Sequence, residues 1–460
     1  MRSQSAKTEN MTLLTNDFLS QLREEAAADS QLRVARNAIT SVGVAKAALD
    51  RDRITALYPT TEVKLDSLGV TDQMRSGRCW MFAALNVFRH RAAKELNVDD
   101  FEFSFTYLQY FDKLERANFV LNQLLDLTED GTDWDDRVVA TSLEHAGADG
   151  GWWCFFSNLV DKYGVVPAEV MPEVHSSGHT AQMNRDIATI IRRAAHRAVE
   201  GEENRGDIIK QARTDIQRVL AIHLGTPPKE FTWSYRTKDD QFFRVHSTPR
   251  EFADKYLPKL DEYVVLADDP RTTNDKHRLF TSAGENNVAG GKAAGYLNVD
   301  VDELRAAARA SIEAGEPVWF SCDVSRQFSF QNAVWDEGLV DTDGLYGIDS
   351  TMSKEERFTS GESAPTHAMA LTGIDGASQS AARDSKEVPR AWRVENSWGT
   401  KPPRKDDADE VPGKGFATMS DEWFGENVFH IAVRKEFLTT EQQQALETEP
   451  IELPFWDRMN

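Results

Sequence analysis

Near residue 310 the chain stops reading as helices and begins to read as strands. That switch does most to restrict its fold, because a helical part and a β-rich part must then come from different stretches of one α+β chain. Downstream, Val318-Trp-Phe-Ser-Cys-Asp-Val324, Ala368-Met-Ala-Leu-Thr372, Ala391-Trp-Arg-Val-Glu395 and Val428-Phe-His-Ile-Ala-Val433 are short runs rich in β-branched and aromatic residues, which predict an antiparallel sheet or half-barrel. Upstream, residues 13–50 carry two polar, Ala-rich helical patterns. The segment from Trp80 through Phe82, Leu85, Val87 and Phe88 is strongly apolar and closes on Arg89, His90, Arg91 and Lys94, as a helix C-terminus prefers, so it predicts a buried helix that starts at Cys79. A second helix is expected over Ser104 to Leu127, after which Asp149-Gly150-Gly151 breaks the chain at a tight turn or a close backbone approach.

From Ser176 to Leu220 an apolar stripe of Met183, Ile187 and Ile191 opposes Arg185, Arg192, Arg193 and Arg197 on helical spacing. Residues 232–236 and 241–245 read as a hairpin, and Thr248-Pro-Arg-Glu251 as the capping box of a further helix. The expected organisation is an N-terminal helical segment (1–60), a helical lobe (61–175), a mixed, mostly helical insertion (176–310), a β-rich lobe (311–440) and a C-terminal tail (441–460).

Bulk properties exclude several functions. The formal charge of −22 argues against non-specific binding to nucleic acid or anionic membranes, both of which need a basic footprint. No run of about eighteen apolar residues suggests a membrane span, and the N-terminal stretch has no signal-peptide core. Three scattered cysteines, Cys79, Cys154 and Cys322, do not make a disulfide framework, so a cytoplasmic protein is expected.

The candidate chemistry lies in three places. Cys79 stands at the end of Gln73-Met-Arg-Ser-Gly-Arg-Cys79-Trp80, and far downstream come Thr366-His367 and Glu395-Asn396-Ser-Trp398. A free thiol near neutral pH is only a few per cent thiolate, so it needs a neighbouring imidazole to become an effective nucleophile. His367 is the candidate base and acid, Asn396 the amide that fixes the ring, and the Gln73 side chain with the Cys79 backbone N–H the oxyanion donors. The start of a helix is expected to lower the thiol pKa, because unpaired N–H groups there stabilise a thiolate. Cys154 and Cys322 lie in aromatic runs and read as structural thiols. His175 and His179 have no further ligand at zinc spacing, so neither a metal nor a cofactor is expected. Gly290-Gly291-Lys292 lacks the phosphate-loop pattern and reads as a turn.

These residues resemble the papain-like cysteine peptidases, in the branch of bleomycin hydrolase and aminopeptidase C. Ser76-Gly77-Arg78-Cys79-Trp80 is similar to the papain signature with Ser in place of its first Cys. Further similarity lies in Tyr107 to Asn118, Tyr163 to Pro167, Val170 to Glu173, Phe231 to Arg236, Val394 to Gly399 and Met419 to Trp423, so the likeness covers almost all of the chain beyond residue 60. His367 follows Cys79 by 288 residues (367 − 79), against about 130–150 in the simple layout, which leaves room for a large insertion.

The resemblance implies a two-lobed papain-like fold with large helical insertions and aminopeptidase action on peptides. It also implies assembly into a homohexamer, with Gly150 and Gly151 offering backbone hydrogen bonds to substrate. By the same resemblance Trp398 covers the His–Asn pair, and the C-terminal carboxylate of Asn460 acts as a stop in the cleft. The competing reading is a ring-shaped hexamer that binds nucleic acid through the Arg192-Arg193-Arg197 face, or binds peptides, with secondary or endopeptidase activity.

Overall fold

A helix as uniformly apolar as Trp80 to Phe88 has to be covered on every side, and it lies within the largest buried core cluster. The helix Cys79–Leu96 buries thirteen of its residues. In the computed structural model, which describes residues 13–201, 204–282, 284–376, 390–400 and 412–459, the chain forms two compact units. The smaller takes the residues through Thr55 together with Gly338–Thr351. Its helices Asn16–Ala28 and Ser30–Val42 are capped by the side chains of Thr15 and Asp29, and neither buries a residue. Leu14, Phe18, Leu32 and Val34 are left exposed.

The larger unit runs from Ala56 to Glu337 and from Met352 onward. Its helical lobe is built from Cys79–Leu96, Phe105–Glu129 and Trp153–Tyr163, with Ala181–Glu200 and Arg205–Leu224 packed on Phe105–Glu129. A single twelve-stranded sheet faces these helices. Its central order is Tyr263–Ala267, Val428–Arg434, Val318–Cys322, His367–Asp375, Ala391–Glu395 and Phe416–Ser420, and every neighbouring pair in that series is antiparallel. The register sets His367 opposite Cys322 and Ala370 opposite both Trp319 and Glu395. Side chains alternate across the sheet. Trp319 therefore joins the core shared with the helical lobe, while Val318, Phe320 and Cys322 pack with the helix Val301–Glu313 on the other face.

The α+β expectation holds, and three of the four strands expected after residue 310 begin within one residue of their sequence runs, at Val318, His367 and Val428, while the fourth, Ala391–Glu395, matches its run at both ends. The stretch expected to be a mostly helical insertion differs in one respect. Its residues Tyr263–Ala267, Arg278–Ser282 and Ala294–Asn298 are strands that extend the main sheet past Val428–Arg434. Each is short and flanked by polar turns, so no local period announces it; Val428–Arg434 pairs with Tyr263–Ala267, which pairs with Ala294–Asn298, which in turn pairs with Arg278–Ser282. Among the described residues no helix is long and apolar enough to cross a membrane.

Candidate active site

The turn before Cys79 is locked by buried polar side chains. Arg78 is buried and gives a bidentate pair to Glu173 (2.9 and 2.8 Å), with further bonds to Ser76 Oγ (2.9 Å) and Gln109 Oε1 (3.2 Å). At Gly77 a Cβ would stand 2.7 Å from the Cβ of Asp149, so only glycine allows the approach that lets the Gly77 N–H donate to Asp149 (3.1 Å). Asp149 in turn pairs with the buried Lys113 ammonium (2.5 Å) and accepts from Thr180. Burial opposes its charge, but Lys113 and these hydrogen bonds prevail and hold its carboxyl well below the usual carboxylate range. This framework presents Cys79 half-buried at the first turn of its helix.

His367 opens its strand and is buried. Its Nε2 donates to Asn396 Oδ1 at 2.9 Å, and the same oxygen accepts the Ser397 N–H at 2.7 Å. With Nε2 committed, Nδ1 is the nitrogen left to exchange a proton with a neighbour. Asn396 follows directly on the strand Ala391–Glu395, whose Glu395 pairs with Arg89 of the Cys79 helix at 2.7 Å, both groups buried. That ion pair ties the two lobes together beside the site. Trp398 lies with its ring centroid 5.0 Å from that of His367, tilted by 36°.

Gln73 stitches the same two segments. Its N–H donates to Ser397 O (2.8 Å), its Oε1 accepts from Ser397 Oγ (2.6 Å), and its Nε2 donates to Ser76 O (2.6 Å). One of its two amide hydrogens is thereby occupied, and the other is the one a developing oxyanion could use.

Cys79 and His367 line one cavity, together with Gly150, Gly151, Trp152, Trp319, Ser321 and Ala368. The Cys79 sulfur lies against the start of the His367 strand, where the Ala368 N–H favours its thiolate, as do the N–H groups of Trp80 and of Cys79 itself. The expectation of a lowered thiol pKa is nevertheless overturned: burial outweighs those N–H groups and pushes the thiol up. Burial also pushes His367 down to about 4, against the opposing bond from Asn396. Burial thus disfavours the charged form of both groups. Cys154, pushed up to about 12 by burial, and the buried Cys322, which burial also raises well above the usual thiol range, fit the expected structural thiols.

Gly150 and Gly151 form part of the cavity wall, and helix Phe105–Glu129 grips them from behind. Lys113 donates to Ala148 O (2.7 Å) and Gly147 O (3.2 Å), and Arg116 donates to Gly150 O. A Cβ on Gly151 would meet Trp80 Cε2 at 2.5 Å, and Trp80 Nε1 donates to Asp149 O (2.9 Å). Asp149, Lys113 and Arg116 support the site without having been anticipated. Their one trace in the sequence is the charged set Asp112, Lys113, Glu115 and Arg116 inside an otherwise apolar helical pattern, all four buried. Glu285 and Phe455 of the tail also line the cavity. Asn460, the expected carboxylate stop, lies outside the described residues. Gly290 and Gly291 belong to a turn, as expected.

The sequence matches the peptidase C1-like family over residues 13–460. Aminopeptidase C of Lactococcus lactis subsp. lactis (strain IL1403) is 35% identical over 450 residues, covering 97% of this chain and 99% of that one. Bleomycin hydrolase of Mus musculus is 34% identical over 463 residues, covering 97% and 98%. Among solved structures, PepW from Lactobacillus rhamnosis HN001 (DR20) matches with a TM-score of 0.90 at 33% identity, covering 97% of this chain and 99% of that one.

Proposed function

The chain belongs to the peptidase C1-like family and is a cysteine-type peptidase, and from that premise we propose that it removes N-terminal residues from peptides, with Cys79 as nucleophile and His367 as its base and acid. The observation that carries this reading is a single cavity lined by both residues, with His367 Nε2 held by Asn396 at 2.9 Å so that Nδ1 is the free nitrogen. Nδ1 takes the thiol proton as sulfur attacks the scissile carbonyl. The Cys79 N–H and the second Gln73 amide hydrogen receive the oxyanion. The protonated Nδ1 then donates to the leaving amine as the C–N bond breaks, leaving a thioester. Water, deprotonated by the same nitrogen, attacks the thioester and restores the thiol. Gly150, whose carbonyl Arg116 holds, and Gly151 beside it present backbone groups to an extended peptide, on a loop that Lys113 anchors at Ala148 O.

Aminopeptidase action is favoured by the names of the relatives and by Phe455, which brings the C-terminal tail to the cavity rim, where the tail limits how much chain fits beyond the scissile bond. We place the protein in the cytoplasm as a homohexamer. Its three cysteines are free, and Leu14, Phe18, Leu32 and Val34 of the small unit are exposed apolar side chains that burial between copies would remove from water. The nucleic-acid reading is disfavoured by the charge of −22 and by Arg192, whose guanidinium is committed to Leu143 O. The test compares fluorogenic aminoacyl amides with their N-acetylated counterparts. Hydrolysis confined to free amines and abolished by Cys79→Ala supports the proposal; equal hydrolysis of both classes refutes the aminopeptidase assignment.

A further inference from the structure

A carboxyl without a hydrogen-bond or ion-pair partner among the described residues lines the catalytic cavity. Glu285 sits in the turn between the strands Arg278–Ser282 and Ala294–Asn298 and lines the cavity shared by Cys79 and His367. Among the described residues its carboxylate has no hydrogen bond or ion pair. The cation whose field reaches it is Arg116, and that guanidinium is already engaged by Asp112 (2.9 and 3.1 Å) and by Gly150 O. Burial accordingly pushes Glu285 up to about 7, a penalty that an incoming cation would remove.

The turn that carries Glu285 is fixed. Asn158 Nδ2 donates to Lys292 O (2.9 Å) and Asn286 Oδ1 (3.2 Å), while Asn158 Oδ1 accepts the Lys292 N–H (2.9 Å). Asn287 Nδ2 donates to Asp112 Oδ1 (3.2 Å) and Phe155 O (3.1 Å). Both residues after Glu285 are thus bonded to the helical lobe. Phe119, Trp152, Phe155, Trp319 and Phe455 add aromatic surface to the cavity lining. A preorganised carboxylate among aromatic faces is the chemistry that recognises an ammonium group, through a charge-assisted hydrogen bond together with cation–π attraction.

We propose that Glu285 is the specificity-determining anion of this cavity and receives an ammonium group of the peptide substrate. The proposal rests on the peptidase reading of the cavity and adds the substrate class to it. The ammonium can come from the substrate's free N-terminus or from a lysine side chain, and the experiment separates the two.

The experiment measures kcat and KM of the full-length enzyme and its Glu285→Gln variant on alanyl-, lysyl- and N-acetyl-lysyl-aminomethylcoumarin. If the N-terminus is the partner, KM for alanyl and lysyl substrates rises about tenfold while kcat stays within twofold. If the lysine side chain is the partner, KM rises for the lysyl substrate and not for alanyl, and the N-acetyl-lysyl substrate, whose α-amine is blocked, is left uncleaved by both enzymes. Glu285→Asp, which keeps the charge, retains most of the affinity in either case and serves if the glutamine variant folds poorly. A Glu285→Gln enzyme whose KM values all stay within twofold of wild type overturns the proposal and leaves the peptidase reading intact. A wild-type enzyme with no Cys79-dependent hydrolysis of any of the three overturns both.

Discussion

Replacing Asn396 by alanine removes the acceptor that fixes the His367 ring. Both groups are buried and the bond is 2.9 Å long, so the change leaves the Nε2 N–H without its partner. An unsatisfied buried donor costs roughly 1–3 kcal/mol, which corresponds to about 5- to 150-fold in kcat/KM if the cost falls on the transition state. The electrostatic sign is also fixed. The Asn396 bond raises the imidazole pKa against the dominant lowering by burial, so its loss takes His367 still further below about 4 and makes proton transfer from sulfur harder. Asn396→Asp acts in the opposite direction, since a carboxylate beside the ring favours imidazolium. The assay pairs kcat/KM with the second-order rate of Cys79 alkylation by iodoacetamide over a range of pH. Both should fall for Asn396→Ala, and the alkylation profile of Asn396→Asp should move toward higher pH for the imidazolium. An alanine variant within twofold of wild type in both measurements would refute the argument that Asn396 orients the base.

Other perturbations follow from the same geometry. Gly151→Ala places a methyl group 2.5 Å from Trp80 Cε2 and must displace an indole bonded to Asp149 O; denaturant melts should show a loss of about 1–3 kcal/mol, with KM rising as the loop shifts. Arg89→Met leaves Glu395 buried without its partner and should cost about 3–5 kcal/mol, with a fall in kcat because Asn396 is the next residue. Asp149 has a folded-state pKa below its unfolded value, so it contributes stability above the ordinary carboxylate range that is lost as pH falls through and below about 4. Asp149→Asn should flatten that acid limb in denaturation curves, while lowering neutral-pH stability by about 3–5 kcal/mol because the buried Lys113 ammonium loses its ion-pair partner.

What was legible in the sequence is what local chemistry determines. Cys79 could be placed at a helix start because an apolar period begins beside it, and His367 and Asn396 lie at or just past the ends of strands with evident β composition. The convergence of Cys79 and His367 on one cavity, with Asn396 bonded to the imidazole, is a tertiary fact, yet the combination of thiol, imidazole and amide made it a definite expectation. The support around them was not legible. Lys113 and Asp149 lie 36 residues apart (149 − 113), and nothing local says that their charges meet in the interior. The raised thiol pKa went the other way for a similar reason: the helix start is visible in sequence, whereas the depth of burial that outweighs it is not. Glu285 carries no local signal beside its glycine-rich turn, because its distinguishing property, a carboxyl in a cavity without a partner, depends on residues from six other segments of the fold.

The most direct measurement is alkylation with iodoacetamide followed by peptide mapping, in wild type and in His367→Ala. The account predicts stoichiometric modification at Cys79 in step with loss of peptidase activity, an alkylation rate at least tenfold lower in His367→Ala, and little labelling of Cys154 or Cys322. Activity that survives full modification of Cys79, or a Cys79 rate unchanged by removal of the imidazole, would contradict it.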